Sequence, residues 1–98
     1  MTTKELHKRR AEVSAKLPAL TLQRDHMFQL KCDAEKLDRF GVTHHTAAEM
    51  ARLEEDQAAA DIAVRDVQRQ LREIDDEIRR AASSGGLNAT VGRVLRRG

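Results

Sequence analysis

The stretch TAAEMARLEEDQAAADIAVRDVQRQLREIDDEIRRAA, residues 46–82, decides the fold. Within it Met50, Leu53, Gln57, Ala60, Val64, Val67, Leu71, Ile74, Ile78 and Ala81 follow at alternating steps of three and four. All but Gln57 are apolar. Such spacing keeps one stripe on one face of a slowly supercoiling helix, which must then pack along its length against another helix. Thr46-Ala47-Ala48-Glu49 opens the segment as a capping box. There the Thr hydroxyl and the Glu carboxylate satisfy backbone donors that the first turn leaves free.

The partner helix lies in the first half of the chain. Thr2-Thr3-Lys4-Glu5 reads as another capping box, followed by an apolar row at Leu6, Val13, Leu20, Met27 and Ala34. Leu17, Leu30 and Leu37 flank that row, four residues along before Pro18 and three along after it. Proline lacks the backbone donor and crowds the preceding turn, so a kink or break is expected there. Gly41 is placed to close the helix as a left-handed C-terminal residue.

These signals predict an all-α fold: an antiparallel two-helix coiled-coil hairpin over residues 1–82. Its helices run over about 3–39 and 47–82, with a loop over about 40–46 and the first helix kinked or broken at Pro18. Ser83-Ser84-Gly85-Gly86 reads as a linker over 83–86. Residues 87–98 form a short basic amphipathic tail. The hairpin seam is expected to contain Leu6, Val13, Leu20, Met27, Leu30 and Leu37 from the first arm. Met50, Leu53, Val64, Val67, Leu71, Ile74 and Ile78 face them from the second.

Charge supports this orientation. The net charge is only +2, yet residues 1–45 carry +3, residues 46–82 carry −4 and residues 83–98 carry +3. Folding at the loop pairs position i with roughly 86 − i. Lys4, Lys8, Arg9 and Arg10 then lie beside Glu73, Asp75, Asp76 and Glu77.

Composition narrows the class further. Of 98 residues, 35% are charged and 2% aromatic, the profile of long helices rather than of a thick core. No apolar run approaches the roughly 20 residues of a membrane span. Residues 1–10 form no secretory signal. A lone Cys32 rules out an internal disulfide framework. A cytoplasmic location is expected, or a virion if the protein is phage-encoded.

No chemistry is evident. His44-His45 at the tip point in different directions and chelate poorly. Cys32 has no neighbouring base, and the acidic runs lie on a helix surface without a cleft to shift their pKa values. The expectation is no catalytic residue, no metal, no cofactor and no small-molecule substrate.

Two helices bury only one stripe each, so the hairpin alone is marginal and gains from a partner. Leu22, Phe28, Cys32, Ala58, Ala59, Ile62 and Ala63 lie off the seam at similar heights and form the candidate partner interface. The resulting functional expectation is a non-catalytic assembly or adaptor protein. It acts as a homo-oligomer or as a small subunit of a larger complex, such as a phage structural component or a chaperone-like accessory protein. The alternative is a nucleic-acid-binding or regulatory protein that grips phosphate with Lys4, Lys8, Arg9, Arg10, Arg93, Arg96 and Arg97.

Overall fold

The computed structural model describes the backbone of residues 2–97 and the side chains of residues 2–83. The described chain is all-α, with α1 (Thr3–Ser14), α2 (Leu17–Arg39) and α3 (Ala47–Arg97). It is an antiparallel helical hairpin in which α1 and α2 supply the first arm and α3 the second. The bounds of α3 take in residues 83–86, where the sequence reads a linker. From residue 84 onward the side chains of the linker and of the basic tail at 87–98 lie outside the described residues. Two compact units divide the chain, one combining Met1–Ala15 with Arg69–Gly98 and the other spanning Lys16–Gln68.

In the first unit, Thr2 caps α1, its Oγ1 accepting the Glu5 N–H at 3.2 Å. Leu6 and Val13, seven residues apart, are buried on one face of α1, and Ile74 of α3 is buried at 1% exposure. Arg10 Nε donates to Asp75 Oδ1 at 2.6 Å. The pair fits the expected matching of i with about 86 − i to within one residue.

The first arm is interrupted at Ala15–Lys16. The Ala15 N–H closes α1 on the Ala11 carbonyl at 3.0 Å, and Lys16 opens α2. Pro18 falls in the first turn of α2, where a missing N–H leaves no helical hydrogen bond unmade. The expected kink is thus a break two residues before the proline.

In the second unit, α2 and the first part of α3 enclose Ala34, Ala60, Val64 and Val67 as buried residues. Leu20, Met27, Met50 and Leu53 are half-buried around them. Lys31 Nζ lies 3.9 Å from Glu54 Oε1, again within one residue of the expected matching.

One part of the expected seam is corrected. Leu30 and Leu37 are 39% and 38% exposed and lie at the seam's edge. Arg24, Lys31 and Asp38 are half-buried on the other flank of the Leu20–Met27–Ala34 row. Their polar ends reach partners, Asp25 for Arg24, Glu35 and Glu54 for Lys31, and Thr43 and His45 for Asp38. Charged side chains satisfied at their tips can lay their stems over an apolar seam, which lets α2 sit rotated toward that flank.

Candidate interaction surfaces

The turn between α2 and α3 is tightly organised. Phe40 caps α2 and Gly41 follows at φ 73°. The Gly41 N–H reaches the Asp38 carbonyl at 3.1 Å and the Val42 N–H reaches the Leu37 carbonyl at 2.9 Å. This is a Schellman closure, and it needs the left-handed conformation that glycine adopts without penalty. On the other side, Thr46 N–H donates to Glu49 Oε1 at 3.0 Å and Glu49 N–H donates to Thr46 Oγ1 at 3.1 Å. The second capping box is therefore complete.

Asp38 ties these two ends together. Its carboxylate accepts from Thr43 Oγ1 at 2.6 Å, from the His45 N–H at 3.2 Å and from His45 Nδ1 at 2.8 Å. An ionised carboxylate only accepts, so Nδ1 of His45 carries the hydrogen. The Thr43 hydroxyl, and after it the His45 ring, hold the Asp38 pKa down at about 2, against the opposing effect of partial burial. Glu49 is also lowered, first by the Thr46 N–H and then by the Thr46 hydroxyl. Among the described residues no third acidic, His or Cys ligand joins Asp38 and His45 as a metal would need. The turn holds Phe40 and Val42 outward, each 68% exposed.

The proposed interface residues divide between faces. Phe28, 53% exposed, lines a groove of about 510 Å³ together with Ala58, Gln57, Arg24, Asp25, Glu54 and Asp61. Ala59 and Ala63 line a second groove with Gln23, Met27, Asp56 and Ala60. Leu22 and Ile62 are exposed at 72% and 65%, and Cys32 is half-buried. The seven residues thus make no single patch. Phe28 and Ala58 belong together, as do Ala59 and Ala63. Gln57, the polar member of the seam stripe, opens onto the Phe28 groove.

At the start of the chain, Lys4, Lys8 and Arg9 are exposed on α1, while Arg10 is held by Asp75. The bond to Asp75 raises the Arg10 pKa, and the same bond lowers that of Asp75. Arg93, Arg96 and Arg97 lie outside the described side chains.

Sequence reasoning missed the Asp38 clamp and the outward display of Phe40 and Val42. The available signal was an acid three residues before the closing glycine, with a Thr and a His just beyond it.

The described helices define an α-helical hairpin module suited to packing against other proteins, and no described helix is long and apolar enough to cross a membrane. No family model, curated protein or solved structure matches the chain.

Proposed function

We propose that this chain is a non-catalytic helical assembly or adaptor protein that works through protein–protein contacts. It acts as a homo-oligomer or as a small subunit of a larger complex, of the kind found in phage structural components and chaperone-like accessory proteins. The observation that carries this reading is Phe28. It stands half exposed above a small Ala58, in a groove that also contains charged residues of both signs. Aromatic side chains, phenylalanine included, are enriched in protein interfaces over the rest of the surface. Leu22, Ile62, Phe40 and Val42 add exposed apolar surface that the two-helix seam leaves uncovered.

The rival reading, nucleic-acid binding, draws on Lys4, Lys8 and Arg9, all exposed on α1. It is weakened by Arg10, whose guanidinium is already engaged by Asp75 on the opposing helix. Purification from cells with and without nuclease, followed by size-exclusion chromatography with light scattering, separates the two. A discrete protein-only assembly, unchanged by nuclease, supports the proposal. Co-purifying nucleic acid that is released by salt overturns it in favour of the rival.

A further inference from the structure

We infer that the groove around Phe28 is the contact surface for a second copy of this chain, docked about a two-fold axis parallel to the helices. The inference rests on the protein–protein reading above and names its partner and geometry.

The groove takes Arg24, Asp25 and Phe28 from α2 and Glu54, Gln57, Ala58 and Asp61 from α3. Arg24 and Lys31, seven residues apart on α2, frame Phe28 between them. Glu54 and Asp61, also seven apart on α3, frame Ala58 and Gln57. Lys31 and Glu54 are close across the hairpin and their numbers add to 85, which sets the height register of this unit. In the same register Arg24 is level with Asp61, and Phe28 is level with Gln57, one residue from Ala58.

A two-fold rotation about an axis parallel to the helices leaves every height unchanged and places α2 of one copy opposite α3 of the other. Three matches then arise at once, each occurring twice. Phe28 meets the small Ala58 of the second copy, Arg24 meets its Asp61, and Lys31 meets its Glu54. A large side chain is set against a small one, and each positive charge against a negative one. Within a single copy Lys31 already reaches Glu54 at 3.9 Å, whereas Arg24 and Asp61 are paired with local, exposed partners. Arg24 Nη2 is 3.3 Å from Asp25, and Asp61 is 2.9 Å from Arg65 one turn on. Both groups can therefore turn to a new partner at little cost.

The competing two-fold, perpendicular to the helices, sets α2 against α2 and α3 against α3. It gains an Asp25–Lys31 pair on each side but opposes Glu54 to Asp61 on each side. Glu54 and Asp61 oppose each other twice there, whereas the parallel axis sets each of them against a basic residue of α2. Electrostatic complementarity of this kind selects orientation more than it adds affinity.

The test is sedimentation equilibrium of the purified full chain over a range of concentrations. The wild type is expected as a dimer. Phe28→Glu should weaken the dimer about thirtyfold or more, as loss of a central aromatic anchor does. Ala58→Arg should weaken it comparably while circular dichroism stays unchanged, because the new arginine is a good helix former between Glu54 and Asp61. Orientation is read in a Cys32→Ser background by mixing a Phe28→Cys chain with an Ala58→Cys chain under oxidised glutathione. A mixed disulfide between the two chains supports the parallel axis, and a Phe28→Cys self-disulfide in its place overturns it. A wild-type chain that is monomeric at every concentration, but carries a stable heterologous protein, sinks this inference and leaves the broader reading standing. A monomer with no protein partner of either kind sinks both.

Discussion

His45 Nδ1 lies 2.8 Å from Oδ1 of Asp38, across the turn that joins α2 to α3. Asp38 belongs to the last turn of α2, and His45 stands just before Thr46, which caps α3. One carboxylate therefore links the exit of one helix to the entry of the next. The Thr43 hydroxyl and the His45 N–H complete its set of donors. The consequence is a tip held by local hydrogen bonds, with its apolar residues Phe40 and Val42 turned outward rather than folded in.

The clamp makes stability depend on acid. Asp38 has a folded pKa of about 2 against an ordinary 3.8, so folding favours its charged form. The corresponding stabilisation is fully present above the unfolded value and is lost as pH falls through the window from about 4 to 2. Asp75 and Glu49 are lowered as well and add to the same trend. Thermal unfolding followed by circular dichroism at several pH values down to 2 should show a falling Tm for the wild type. Asp38→Asn should start lower at neutral pH and show a shallower fall. Parallel acid profiles for the two proteins would remove Asp38 from the account.

Gly41 offers a cleaner measurement of the turn. Its φ is 73°, and apart from its own residue and its two chain neighbours nothing lies within 4 Å of the point where a Cβ would stand. A side chain there meets open space, so the only cost is the left-handed backbone. Gly41→Ala should destabilise by about 1–2 kcal/mol. Gly41→Asn should cost less, because Asn tolerates this region through its own local hydrogen bonding. Urea unfolding of the three proteins, with similar slopes, checks the order Gly, Asn, Ala.

The features of this fold that follow local rules were legible in the sequence. Gly41, Thr46 with Glu49, and the break near Pro18 each depend on a few adjacent residues, and the antiparallel matching followed from two runs and a loop. The flank of α2 that faces α3 was not legible. Leu30 and Leu37 on one side, and Arg24, Lys31 and Asp38 on the other, both lie beside the Leu20–Met27–Ala34 row at acceptable spacing. A small rotation of the helix exchanges them, and the outcome rests on partners such as Glu54 and His45 that only the folded chain brings near. The division of the candidate interface has the same origin. Phe28 and Ala59 are at similar heights, yet they line different grooves.

Arg10 and Asp75 bear on orientation in the first unit. Their contact at 2.6 Å joins α1 to α3, with both side chains more than two-fifths exposed. An exposed pair of this kind adds little stability, but its sign can be tested. Arg10→Asp and Asp75→Arg should each lower Tm slightly by placing like charges together, and the double variant should recover most of the loss. The coupling should vanish at about 1 M salt, where the screening length is about 3 Å. Additive losses in the double variant at low salt would mean that the two groups do not interact in solution.

Two isoleucines of α3 separate stabilising burial from surface left open for contact. Ile74 is 1% exposed in the first unit, and Ile62 is 65% exposed in the second. Residue type and helix are the same, so intrinsic helix propensity changes equally when each is cut to alanine. Ile74→Ala loses buried side-chain atoms and leaves a cavity, and should cost about 2–5 kcal/mol. Ile62→Ala gives up almost no buried area and should stay within about 0.5 kcal/mol of the wild type. Guanidinium unfolding at low protein concentration, where association contributes least, measures both. If Ile62→Ala instead destabilises as much as Ile74→Ala under those conditions, Ile62 is covered within the single chain, and the exposed face of α3 is not the free surface assigned to it.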